Sequence, residues 1–279
     1  MNYRISEDLS FILEAEKKNL DEFSKASQIS RNTLYSITKN VTVSPIIHEK
    51  FYSYVYRSKY RLNSVKEDLL KESKKGSVLF HGSKCRLTEI QASGSRSSCD
   101  FGRGFYLGET YDQALSFVCE NEGSCIYSFC CDIGELKILK FDCSLDWMFA
   151  ICYYRGSLKE FEHTEKIAKI IENINNADLI IAPIADNRMF YIMSLFASGD
   201  INSNVASHSL SASKLGMQYV FRTERSLKRL KPKERYFLCQ EEKEDCKKRL
   251  NQRAFEIDTK LKMAKREFKE GFFIEELLK

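Results

Sequence analysis

From Ser77 onward the sequence breaks repeatedly into short apolar runs of strand type, each closed by glycine or polar turn residues: SVLFHGS, GFYLGE, CIYSFCCDI, LKILKFD, ADLIIAPIA and QYVFRT. Before Gly76 the texture is different. Residues from about 7 to 56 contain no β-rich segment, and apolar side chains recur there at three- and four-residue spacing (Leu9, Ile12, Leu13, then Leu20, Phe23, Ala26). Helices first, then strands and helices mixed without strict βαβ alternation, predict an α+β chain. The expected organisation is a helical region and charged connector over residues 1–75 followed by a main domain over 76–279. Within that domain TEKIAKIIENINNA is the clearest helix, with Ile167, Ile170, Ile171 and Ile174 on one face. Beyond about residue 232 the chain turns strongly charged, and Leu250, Ala254, Ile257, Leu261, Ala264 and Phe268 recur at four- and three-residue steps. That repeat predicts a long amphipathic helix over about 238–270, too short in heptads for a coiled coil and expected to lie along its own domain.

A length of 279 residues with 43% hydrophobic content supports one substantial core with helical additions rather than two enzyme domains. No run approaches the ~20 uncharged apolar residues of a membrane span, and MNYRISEDLS carries acidic residues where a secretory leader has an apolar stretch. A soluble, cytoplasmic protein is expected. The ten cysteines include no CxxC pair, and only Cys130 and Cys131 adjoin. They read as small buried hydrophobes in a reducing compartment. With only His48, His81, His163 and His208 available, no metal site is expected. A net charge of +5 permits contact with nucleic acid or nucleotide phosphates without requiring either.

Near the amino terminus, Asn19 followed by Glu22 forms a capping-box start, and Ser30 can cap a second short helix, SRNTLYSIT. Two short helices joined by ASQIS make a helix-turn-helix candidate, with Phe23, Ala26, Ile29, Leu34 and Ile37 facing inward. It resembles the repressor-type helix-turn-helix of bacterial and phage regulators, although the turn lacks the glycine common there. DNA contact through residues 19–39 would fall to Arg31 and Asn32. The plainer alternative is a helical cap that packs on the rest of the chain.

Two segments carry chemistry. In Val78-Leu79-Phe80-His81-Gly82-Ser83 an apolar strand ends in an imidazole beside backbone open to close approach. In Gly102-Arg103-Gly104-Phe105-Tyr106-Leu107-Gly108, glycines flank an aromatic pair. Together they suit a planar heterocycle and its sugar. The glycines do not form the GxGxxG fingerprint of a Rossmann site, and Asp100-Phe101-Gly102 lacks the lysine strand and HRD loop of a kinase.

These segments, followed by QYVFRT, resemble the ADP-ribosyltransferase superfamily of the diphtheria-toxin and poly-ADP-ribose-polymerase type. More narrowly, FHGS with CDFGRGFYLGETYDQALSFV, ADNRMF and LGMQYVFRTERSLKRL is similar to an uncharacterised bacterial ADP-ribosyltransferase-like family, over roughly residues 77 to 275. The resemblance implies a split β-sheet core with flanking helices, and NAD as substrate without a metal. It implies that His81 hydrogen-bonds the nicotinamide ribose, that the Gly82 backbone holds the carboxamide, that Tyr106 lines the nicotinamide pocket beside Phe105, and that Phe117 stacks on the ring. Phe117 stands where tyrosine is usual and keeps the stacking face without the hydroxyl. Ser83 and Arg103 are matching candidates for the pyrophosphate.

The departure is in the third motif, where polymerising relatives carry glutamate and this chain has Gln218. Glutamine hydrogen-bonds a hydroxyl but is no carboxylate base. Transfer of a single ADP-ribose to a protein side chain or nucleic acid is therefore expected, with Glu109, Asp186 and Arg188 as acceptor-side candidates. Asp186 is also well placed simply to cap the following helix. The competing expectations are an NAD glycohydrolase toxin with water as acceptor, and a DNA-binding regulator that only senses NAD. An RNA 2′-phosphotransferase of the same superfamily fits less well, because its additional basic residues are not evident.

Overall fold

The computed structural model describes residues 1–58, 60–72, 76–211 and 216–278. Of the expected connector, residues 59 and 73–75 lie outside the described residues, as does Leu215 of the third motif. The helices in chain order are α1 (Ile5–Glu16), α2 (Leu20–Ser27), α3 (Arg31–Thr38), α4 (Pro45–Arg57), α5 (Leu62–Glu72), α6 (Tyr111–Ser116), α7 (Leu145–Tyr154), α8 (Glu165–Asn175), α9 (Asn187–Ala197), α10 (Ser203–Ser211), α11 (Glu224–Leu227), α12 (Gln240–Glu267) and α13 (Ile274–Leu278). The strands are β1 (Ser77–Ser83), β2 (Phe105–Gly108), β3 (Cys125–Cys131), β4 (Ile138–Lys140), β5 (Leu179–Pro183), β6 (Met217–Phe221) and β7 (Leu230–Phe237). The protein is thus a mixed α and β chain with a seven-stranded sheet, helices at its amino terminus and a long helix near its carboxyl terminus. No described helix is long and apolar enough to cross a membrane.

Two compact units divide the chain. The first comprises Met1–Leu87, Thr110–Cys131 and Lys231–Arg249. Its helical core gathers Leu9, Ile12, Phe23, Leu34, Ile37, Phe51 and Val55. Each such burial is worth roughly 1.5–3 kcal/mol against exposure. Here the capping box of Asn19 and Glu22 starts α2, and the Ser30 hydroxyl accepts from the Thr33 N–H to start α3. One inward position differs from expectation. Ala26 is exposed and Ser27 is buried, because the stripe set by Phe23 continues at the i+4 position. The turn solves its missing glycine by placing Gln28 in the left-handed region at φ 57°. The connector also holds more order than its charge implied, since α5 is anchored by buried Leu62 and by Glu67, which accepts from the Tyr111 N–H at 3.1 Å. Lys66 on the same helix pairs with Asp8 at 2.8 Å and with Glu234, while the Tyr52 hydroxyl donates to Asp8 at 2.7 Å. In this unit β1 pairs antiparallel with β3, which neighbours β7.

The second unit comprises Thr88–Glu109, Asp132–Leu230 and Leu250–Lys279. Its strands run in the order β4-β5-β6-β2, with β4 and β5 parallel and the other pairs antiparallel. Ile167, Ile170 and Ile174 of α8 are buried and Ile171 packs at the edge of the same core, as their spacing required. The nearly all-apolar α7 contributes Trp147, Phe149 and Ile151, and the later part of α12 contributes Ile257, Leu261 and Ala264. Six of the ten cysteines are buried, Cys99 and Cys130 are half-buried, and Cys85 and Cys143 are exposed.

Candidate functional site

In the first unit, His81 lies on β1 opposite Tyr127 of β3 and is half-buried. Strand alternation puts Phe80 and Gly82 on one face and His81 on the other. Phe80 is fully buried against Tyr111 and Tyr236, so the imidazole belongs to the opposite face, with Tyr127. The Tyr127 hydroxyl there accepts from the Leu87 N–H at 2.9 Å, and the Arg235 guanidinium stands 5.8 Å from the Tyr127 ring centre. Gly82 has a clear structural cause. A Cβ at that position would stand 2.4 Å from the Ala114 carbonyl oxygen and 2.9 Å from Val118, so α6 takes up the close approach that glycine allows. Ser83 ends β1 and is half-buried, and Phe117, the residue that follows α6, exposes 56% of its surface.

In the second unit, Tyr106 and Gln218 come together. The register of β2 on β6 sets Tyr106 opposite Val220 and Gly108 opposite Gln218. The two side chains are therefore diagonal neighbours on one face of the sheet. Both are also held by one segment. The Tyr106 hydroxyl donates to the Gly102 carbonyl at 2.7 Å and accepts from the Phe101 N–H at 3.1 Å. The Gln218 amide nitrogen donates to the Asp100 carboxylate at 3.0 Å and to the Pro183 carbonyl at 3.1 Å. Burial pushes the Tyr106 hydroxyl well above the usual phenol range, so it is a neutral hydrogen-bonding group there. Asp100 in turn accepts from Arg155 Nε at 2.8 Å, and the same guanidinium lies over Phe190 at 4.5 Å.

The remaining candidates divide by what surrounds them. Phe105 projects to the side of β2 away from Tyr106 and is buried, whereas Arg103 is exposed. Glu109 accepts from the Met217 N–H at 3.0 Å and from the Tyr219 hydroxyl at 3.4 Å, which ties it to the start of β6. Asp186 caps α9, accepting from the N–H groups of Arg188 and Met189 at 2.9 and 2.8 Å. Arg188 forms an ion pair with Asp258 on α12 and stacks on Tyr191. Arg31 and Asn32 are exposed at the start of α3, where Arg31 meets Asp21 at 3.0 Å. Among the described residues no group of three or more histidine, cysteine or acidic side chains is placed to hold a metal ion.

The sequence alone did not single out Asp100 and Arg155, the pair on which Gln218 rests. Asp100 stands in a kinase-like tripeptide without its companion motifs, and Arg155 stands 55 residues away with no local pattern to join them.

A family model described as "Protein of unknown function (DUF3990)" matches residues 77–231, more than half of the chain. No curated protein and no solved structure matches it.

Proposed function

Starting from a chain that belongs to DUF3990, a family of unknown function, we propose an NAD-dependent mono-ADP-ribosyltransferase with an ADP-ribosyltransferase-type core. The observation that carries this reading is the joint anchoring of Tyr106 and Gln218, side by side on β2 and β6, by the Asp100–Gly102 segment. They are two of the three motif positions on which the resemblance rests, and His81, the third, begins the half-buried end of β1.

In this reading NAD supplies the ADP-ribosyl group and nicotinamide is the leaving group. His81 would hydrogen-bond the nicotinamide ribose, and the Gly82 backbone would hold the carboxamide. Because the Tyr106 hydroxyl is already engaged by backbone, its ring is what it offers as a wall. Phe117 offers an exposed ring for stacking, and Ser83 and Arg103 are the pyrophosphate-side candidates. Gln218 is a positioning residue, since both amide N–H donors are spent on Asp100 and Pro183 and a glutamine is no proton-accepting base. Rate acceleration then comes chiefly from holding the glycosidic bond against a positioned acceptor. Glu109 remains an acceptor-side candidate, held at the start of β6 by the Met217 N–H and the Tyr219 hydroxyl, while the capping work of Asp186 and the Asp258 pairing of Arg188 account for those two residues structurally.

Release of nicotinamide from NAD, followed by tracking adenylate label into protein or nucleic acid, tests the reading. Label on macromolecules supports transfer; label confined to small molecules means glycohydrolysis. The second reading, an NAD-responsive DNA-binding regulator, is favoured by the capped α2–α3 pair with Arg31 and Asn32 exposed. It expects NAD binding without nicotinamide release, and duplex binding that Arg31→Ala and Asn32→Ala abolish.

A further inference from the structure

The first unit contains a cleft of about 380 Å³ walled by α4, α5, α6 and the start of α12. Glu242 of α12 lines it with only 8% of its surface exposed. Every hydrogen bond to that carboxylate comes from a neutral group: the Asn63 Nδ2 at 3.2 and 3.3 Å and the Tyr111 hydroxyl at 3.1 Å. Two cationic side chains, Arg61 and Arg249, also line the cleft. Arg249 pairs with Asp112 at 2.6 Å, Lys71 pairs with Glu67 at 2.6 Å, and among the described residues none stands within ion-pair distance of Glu242. A buried carboxyl group without a counter-charge is costly unless something else supplies one.

Two further observations at the same cleft point to a ligand with N–H donors. The Asn63 Oδ1 is buried and has no hydrogen-bond partner, although buried acceptors are nearly always satisfied. The walls carry the rings of Tyr56, Tyr60 and Tyr111, whose faces attract cations. Two acceptors of different kinds beside flat aromatic walls suit a planar, several-donor cation better than a compact ammonium.

We propose that this cleft binds a guanidinium group, whose N–H donors reach the Asn63 Oδ1 and the Glu242 carboxylate while its plane stacks on the tyrosine rings. The group can come from a free small molecule or from an arginine side chain of a peptide. The site is independent of the transferase reading, since none of His81, Tyr106 or Gln218 lines the cleft.

Calorimetric titration of the full chain with methylguanidinium and with a blocked Gly-Arg-Gly tripeptide tests this. Saturable one-to-one binding of at least one probe is expected, weakened tenfold or more by Glu242→Gln and several-fold by Asn63→Ala. Tighter binding of the tripeptide identifies a peptide side chain as the source, and equal affinity a small molecule. Absence of saturable binding by both probes, undiminished binding in Glu242→Gln, or equally tight binding of tetramethylammonium overturns the proposal. Should Glu242→Gln fail to melt cooperatively, undiminished binding in Asn63→Ala overturns it instead.

Discussion

Glu242 gives the clearest pH signature of any single residue. Burial, opposed by hydrogen bonds from Asn63 and Tyr111, lifts its carboxyl to about 7. An acid with a folded value above its unfolded one binds more protons when folded. Its contribution to stability is therefore whole below the ordinary carboxylate range and is lost as pH rises through about 7. Glu242→Gln removes that dependence and should gain on the wild type between pH 5 and 8 by roughly 3 kcal/mol, read from denaturant unfolding at each pH. Parallel stability curves would contradict the assignment. Tyr106 separates ring from hydroxyl in a similar way. Tyr106→Phe leaves the Phe101 N–H and the Gly102 carbonyl without their partner, at a cost of about 1–3 kcal/mol in unfolding free energy. If the ring is what matters to NAD, nicotinamide release persists in that variant at temperatures well below its lowered Tm. Residues such as His81, Tyr106 and Gln218 could be singled out because their motifs are local. Asn63, Asp100, Arg155 and Glu242 could not, because each takes its meaning from partners tens of residues away, and a polar side chain on a helix or in a turn reads locally as solvent-facing.

Individual elements were legible where a local rule decided them. The caps of α2 and α3 follow from Asn19, Glu22 and Ser30, and Asn19→Ala should cost about 1 kcal/mol in thermal unfolding, since it frees two first-turn N–H groups. No loss of stability there would mean that α2 is held by packing alone. The six apolar runs gave β1 to β6 directly. The strand β7 was not legible, because LKPKERYF is charge-rich and contains Pro232, a composition that suits an edge and carries no apolar alternation. Likewise α7 shows no polar face to set a helical period, its residues being buried nearly all round. The start of α12 hides its inward face in Glu242, Lys243 and Cys246, so only the later repeat from Leu250 to Phe268 announced the helix.

At the scale of the molecule, the account rests on the mixed α and β fold as a scaffold for three motif positions. In the second unit, the Asp100–Arg155 pair joins the segment before β2 to α7 while holding Gln218. Breaking a largely buried pair from one side is expensive, so Asp100→Ala should lower unfolding free energy by roughly 3 kcal/mol and lower nicotinamide release with it. The fold class and the helical ends followed from the switch of periodicity at Gly76, but the grouping of distant segments into two compact units did not, because sequence patterns carry no record of which amphipathic faces meet. The most direct measurement is nicotinamide release from NAD by the full chain and by His81→Ala, each with cell extract as a source of acceptors and each shown to be folded. The account predicts release by the wild type and its loss in His81→Ala. No release by the wild type, or undiminished release by His81→Ala, would contradict it.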